Sequence, residues 1–359
     1  MDKNRLSLLE LLKVGLWRKA DANLNADYNL SEDVDWDGMY QLAQEKSILG
    51  LVLAGVERSD VKPPKELLLQ WIGEVQVIEQ QNRAMNQFVA ELVEKMRAAD
   101  IDAILVKGQG VAQCYEKPMW RPSGDVDLLL SEVSYKKAKE LLLPLSSGHK
   151  NEERYSQHLG MNIGQWYVEI HGSLRTGVSS KIDRMVDAAQ DSVFMSGNVR
   201  SWQNGGTLVS LPAPTEDVFL IFTHFIKHFY KGGMSLRQLC DWCRLLWTYR
   251  AEIKVDWLEQ HLRNGGLMIE WKAFAALAVV YLGMPAEAMP FINLNDNVEL
   301  NMKAERLMEL LLGGYSGNRV KDTLRIAKIF PWKTLRYSPS IFLNVNWLKV
   351  RERIIEKNR

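Results

Sequence analysis

The sequence predicts an α+β protein with a small mixed sheet in the middle of the chain and helical regions on both sides. Three observations carry this. Apolar residues recur at helical spacing over the first hundred residues and again over the last hundred and fifty. Short β-type runs occupy the stretch between them. Within that stretch, Gly124-Asp125-Val126-Asp127 leads straight into Leu128-Leu129-Leu130.

In an extended chain alternate side chains share a face, so Asp125 and Asp127 project together while Val126 and Leu128 point the other way. Two neighbouring carboxylates repel unless cations, protons or solvent relieve them, and hard divalent cations prefer oxygen ligands. A metal site is the chemical expectation. The bland alternative is a pair of aspartates at a solvated strand end.

The composition is that of a globular chain: 359 residues, 47% hydrophobic and 25% charged. Its 45 basic and 44 acidic residues give a net charge of +1. No global field therefore favours nucleic acid or an anionic membrane. Cys114, Cys240 and Cys243 make no even disulfide framework. Charges at Glu10, Lys13 and Arg18 break the first apolar run, and no uncharged stretch is long enough to span a bilayer. These features lead us to expect a cytoplasmic protein with no transmembrane segment and no strong nucleic-acid signal.

The organisation expected is an N-terminal helical region over 1–99, a core over 100–212 and a C-terminal helical domain over 213–359. Leu8, Leu9, Leu12 and Leu16 supply a helical face, and Trp36 to Val56 repeats the pattern after a polar break from Asn23 to Asp35. A long helix follows Pro63-Pro64 from Lys65 to Ala99. The core reads as strands over Ile101–Val106 and Gly124–Leu130, a helix over Val133–Leu143, and strands over His158–Ile163 and Trp166–Ile170. A helix over Lys181–Val193 and a hairpin across Asn204-Gly205-Gly206 complete it. In the second strand pair, Glu169 is flanked by apolar neighbours as Asp127 is, which makes it a candidate third oxygen ligand. After Pro212 and Pro214 the pattern is helical nearly to the end.

The order Lys107-Gly108, Tyr115, Pro118, Arg121, Asp125-Val126-Asp127 and Glu169-Ile170-His171 resembles the DNA polymerase β-like nucleotidyltransferase superfamily. It is most similar to the bacterial proteins described as uncharacterised nucleotidyltransferases. The resemblance covers the central third, with a looser echo at Pro214, Glu216-Asp217, His224, Arg237 and Asp241. It departs from the wider superfamily at Lys107-Gly108, where Gly-Gly or Gly-Ser is usual, and in the longer connection to the acidic pair.

The resemblance implies a nucleotidyltransferase core that moves a nucleoside monophosphate from an NTP to a hydroxyl on a small-molecule or protein acceptor, releasing pyrophosphate. One or two Mg²⁺ ions would be held by Asp125, Asp127 and Glu169. Lys107, Gly108, Arg121, Ser123, Gly124 and Arg237 are the candidates for nucleotide binding, and His171, His224 and Asp241 for contact with substrate. Two other readings stand beside it: a nucleotide-binding regulator without turnover, and a helical interaction protein in which the acidic pair is incidental.

His224 and His228 lie four apart on one helical face, and Cys240 and Cys243 have a two-residue spacer. A zinc site from these four is disfavoured because the cysteines sit inside a strong helical pattern. The twelve tryptophans are scattered and read as packing residues. The stretch from Asn318 to Arg359 mixes basic with apolar side chains. Its readings are a solvated amphipathic face, a surface for a protein partner, or a peripheral membrane contact, with Pro331 and Pro339 interrupting any long helix.

Overall fold

A computed structural model describes residues 2–18, 34–153, 157–293 and 297–338. The polar break that begins at Asn23 lies outside the described residues as far as Asp33, as does the C-terminal stretch from Pro339 onward.

Four helices come first: α1 (Lys3–Leu16), α2 (Trp36–Glu45), α3 (Leu49–Arg58) and α4 (Lys65–Arg97). The single pattern read over Trp36 to Val56 is two helices, because Ser47 takes a φ of 55° and turns the chain between them. The core then runs β1 (Ala103–Val106), α5 (Gly108–Ala112), β2 (Asp125–Leu130), α6 (Glu132–Leu142), β3 (Ser146–His149), β4 (His158–Ile163), β5 (Trp166–His171), α7 (Ser180–Met195), β6 (Val199–Asn204) and β7 (Thr207–Pro212). The remaining helices are α8 (Pro214–Lys231), α9 (Leu236–Thr248), α10 (Val255–Gly265), α11 (Met268–Leu282), α12 (Val298–Gly313), α13 (Arg319–Ala327) and α14 (Pro331–Tyr337). The fold is α+β, with one mixed seven-stranded sheet flanked by helices.

The strand order is β3-β4-β5-β2-β1-β7-β6. β2 pairs antiparallel with β1 and parallel with β5, and β4 pairs antiparallel with β5. β3 was not foreseen: Ser146-Ser147-Gly148-His149 has no apolar alternation, because it lies on the sheet edge and buries little.

One sheet face is apolar. Leu105, Val126, Leu128, Val168, Ile170, Leu159 and Met161 pack there against Met85, Val89, Leu92 and Met96 of α4 and Tyr135 and Ala138 of α6. Burial of that face fixes the register, since a slip of one residue would turn every apolar side chain outward. The opposite face begins with Ile104, Val106 and Leu129 against Val193 of α7 and then becomes polar.

A second, larger core draws on both ends of the chain. Leu8, Leu12 and Trp17 share it with Phe222, Phe225, Trp242, Trp271, Phe274 and Leu311. The Trp17 indole donates to the Leu282 carbonyl at 2.6 Å. α1 and α3 approach closely through glycine: a Cβ at Gly55 would lie 1.9 Å from the Leu11 carbonyl oxygen. Part of the C-terminal basic and apolar stretch also belongs to this core, with Ile326, Ile329 and Phe330 buried and Trp332 outside.

Candidate active site

The polar face is built by the β2–β5 pair. Asp127 stands directly beside Glu169 in the parallel register, and Asp125 beside Tyr167. Two-residue periodicity then puts Asp125, Asp127, Glu169 and His171 on one face, while Val126, Val168 and Ile170 anchor the other. Across the next pair, His158 of β4 faces His171 of β5. Their imidazoles stack with centroids 4.6 Å apart and planes 2° from parallel.

Asp127 is the hub. Its Oδ1 accepts from Lys107 Nζ at 2.7 Å and lies 2.7 Å from His171 Nε2. Burial alone would raise its pKa, but the Lys107 charge and the His171 hydrogen bond outweigh burial and hold the carboxyl well below the usual carboxylate range. Asp125, partly buried in the same cleft, moves the other way. Burial and then the neighbouring Asp127 charge raise its pKa. Glu169 is opposed by burial and stabilised as an anion chiefly by His158, with a net lowering. Its Oε2 lies 3.2 Å from His158 Nε2 and 3.6 Å from His171 Nε2.

Lys107 holds its position through an unusual backbone. It has a φ of 61° between β1 and α5, a region that side chains other than glycine rarely enter. Gly108 follows with a φ of 40°. The turn aims the Lys107 ammonium back across the sheet to Asp127.

α8 and α9 form the facing wall. Lys107, Arg121, Asp125, Asp127, Glu169 and Arg237 are among the residues lining a cleft of about 360 Å³, with His224, His228, Ser235 and Gln238 at its helical side. Ser235 and Gln238 cap α9 reciprocally, so the helix begins at the cleft. Arg237 Nη1 donates to the Pro122 carbonyl at 2.7 Å, while its buried Nε has no partner. Among the site residues this is a guanidinium with donor capacity left for a ligand. Ser123 also lines the cleft, and Gly124 is the residue before β2.

Arg121 and Asp241 lie elsewhere in the cleft wall. Arg121 is buried, grips Asp241 through two nitrogens, and donates from Nη1 to Ser123 Oγ at 2.6 Å. The Tyr115 hydroxyl donates to the same Asp241 at 2.8 Å. These two candidates neutralise one another, so neither offers a free charge to phosphate or acceptor. They position the Ser123 turn and α9 instead.

His224 and His228 meet at the cleft with Nε2 atoms 3.1 Å apart. Burial, then the Lys107 charge and the His228 ring, lowers the pKa of His224, and burial, then the Lys227 and Lys107 charges, lowers that of His228 to about 4. Both rings are neutral near pH 7. Cys240 and Cys243 are fully buried in α9 and their thiols are pushed up by burial. Among the described residues, the cluster of histidine, cysteine and acidic groups close enough to hold a metal is His158, Glu169 and His171.

Sequence reasoning missed His158. Its signal was present in the alternation of polar His158 with buried Leu159 and Met161, but only the antiparallel register sets it opposite His171.

The polar face of the mixed sheet thus carries Asp125, Asp127 and Glu169, with Lys107 and Arg237 lining the same cleft. The chain belongs to the family described as uncharacterised nucleotidyltransferase, whose model matches residues 32–283. No curated protein and no solved structure matches it. No helix among the described residues is long and apolar enough to cross a membrane.

Proposed function

We propose that this protein is a metal-dependent nucleotidyltransferase that transfers a nucleoside monophosphate from an NTP to a hydroxyl of a small-molecule or protein acceptor. The observation that carries this reading is the in-register placement of Asp127 beside Glu169, with Asp125 on the same face and Lys107 and Arg237 within the same cleft.

Asp125, Asp127 and Glu169 are the residues to hold a divalent cation, and their oxygen donors fit that role. When bound, the cation supplies Lewis-acid stabilisation of phosphoryl oxygens. Lys107 and Arg237 place positive charge where a triphosphate would lie and restrain it for in-line attack. The acceptor oxygen forms a bond to the α-phosphorus, the bond from that phosphorus to the bridging oxygen breaks, and pyrophosphate leaves. The hydroxyl proton is lost to the carboxylate cluster. Ser235, Gln238 and the neutral His224–His228 pair form the wall from which the acceptor is positioned.

Asp127 is already compensated by Lys107 and His171. That single observation favours the second reading, a nucleotide-binding regulator without turnover. Incubating the purified chain with each NTP, divalent metal and a panel of hydroxylated acceptors tests the two together. Pyrophosphate release with a nucleotide-sized mass gain on the acceptor supports transfer. NTP binding with neither product supports the regulator, and no NTP binding overturns both.

A further inference from the structure

His158 has no role in the transfer scheme above, yet it is placed with care. Its Nε2 is buried and faces Glu169 Oε2 at 3.2 Å, while Nδ1 faces Glu153 at 3.8 Å. The ligating atoms of His158, Glu169 and His171 all lie within 4.8 Å of one another.

We propose that His158, His171 and Glu169, with Asp127 as a fourth donor, form a binding site for a divalent transition metal of the Mn²⁺ or Zn²⁺ type. The proposal deepens the transferase reading by naming the metal class its site selects, and it shares Asp127 and Glu169 with that reading.

Geometry supports it first. Donors about 2.0–2.1 Å from a tetrahedral metal stand roughly 3.3–3.4 Å from one another. Glu169 Oε2 is 3.2 Å from His158 Nε2 and 3.6 Å from His171 Nε2. His171 Nε2 is 2.7 Å from Asp127 Oδ1. The two imidazole planes are stacked nearly parallel, so one ring must rotate out of the stack before both Nε2 lone pairs reach one centre. The backbone already fixes their origins, because β4, β5 and β2 are adjacent strands with His158 paired to His171 and Asp127 to Glu169.

Donor chemistry then selects the ion. Mg²⁺ favours six oxygens in a near-ideal octahedron and releases its waters reluctantly, whereas imidazole nitrogen suits zinc and other transition metals. Two neutral imidazoles and two carboxylates also balance a dication. Without metal, the 2.7 Å contact needs a hydrogen on His171 Nε2 directed at Asp127. Metal binding uses the Nε2 lone pair instead, with the hydrogen carried on Nδ1, so the neutral ring changes tautomer with no net proton released. Lys107 is then freed from its close pairing with Asp127 and can turn toward a triphosphate.

The experiment uses the full chain, stripped of metal with chelator and kept free of nucleotide, so it is independent of transfer. Mn²⁺ binding is followed by loss of the free-ion electron paramagnetic resonance signal, Zn²⁺ binding by competition with a chromophoric chelator, and Co²⁺ by its visible spectrum. One Mn²⁺ or Zn²⁺ per chain, not displaced by a large excess of Mg²⁺, is expected. His158→Ala should weaken binding about tenfold or more. His158→Cys should introduce a thiolate-to-Co²⁺ charge-transfer band, a signature that a merely structural histidine would not produce and that remains readable if the alanine variant fails to fold. Equal competition by Mg²⁺, unchanged affinity in His158→Ala, or a cysteine variant without the band overturns the site. Intact Co²⁺ binding with no nucleotide transfer would instead reject the transferase reading alone.

Discussion

Arg121 and Asp241 meet side by side across 120 residues of chain, with Nε 2.7 Å from Oδ1 and Nη2 2.6 Å from Oδ2. The pair ties the turn before β2 to α9, and so joins the sheet half of the cleft to its helical wall. Both residues are nearly fully buried, at 4% and 6% exposure. Each therefore depends on the other for compensation.

Asp241→Ala should destabilise the protein by about 3–5 kcal/mol, because it strands a buried guanidinium. Replacing both residues together, Arg121→Met with Asp241→Leu, should recover most of that loss. Denaturant unfolding of the two variants checks this. A loss below about 1 kcal/mol in Asp241→Ala would mean that solvent reaches the pair and screens it.

Asp127→Asn should lower pyrophosphate release about a hundredfold or more while leaving a folded protein. The amide keeps the shape and can still accept from Lys107, but it removes the negative charge at the hub of the site. Asp125→Asn should act in the same direction. Turnover close to that of the unaltered chain in either variant would remove that aspartate from the metal site.

Lys107→Ala and Arg237→Ala should each weaken NTP binding by about 10- to 100-fold, the scale of a charge-assisted hydrogen bond. NMP affinity should change much less. Isothermal titration of NTP and NMP with metal present separates the two, and equal losses would exclude a role at the β- or γ-phosphate.

Acidification should destabilise the fold before ordinary carboxylates titrate. His228 has a folded pKa of about 4, below the roughly 6.5 of an exposed imidazole. Its neutral form is favoured by folding, so its contribution is present above pH ~6.5 and is lost as the pH falls toward 4. The slope is at most about 1.4 kcal/mol per pH unit for one group, less for partial solvent screening. His228→Gln should flatten the fall in melting temperature across this window. An unchanged pH profile would show that His228 titrates alike in folded and unfolded chains.

Gly55→Ala tests the closeness of α1 and α3. The added methyl would meet the Leu11 carbonyl oxygen at 1.9 Å, and backbone cannot move aside as a flexible side chain can. A loss of about 1–3 kcal/mol is expected in thermal or chemical unfolding. A neutral substitution would mean that the two helices can separate at little cost.

The sequence by itself determined the local elements and the faces of their side chains. His158–Ile163 has the same bounds in the sequence reading and in the structure, and the region after Pro214 is helical in both, because period 2 and period 3.6 are local properties of the chain. Alternation likewise put Asp125 and Asp127 on one face before any partner strand was known. Only the tertiary structure decided which strands became neighbours and in what register. That non-local pairing set Glu169 beside Asp127 and His158 opposite His171. It also spent Arg121 on Asp241, and it merged Leu8 and Trp17 with Phe225 and Trp271 in one core. The physical reason is common to all of these: a side chain's face follows from backbone geometry one residue at a time, whereas its partner depends on how distant segments bury their apolar surfaces together.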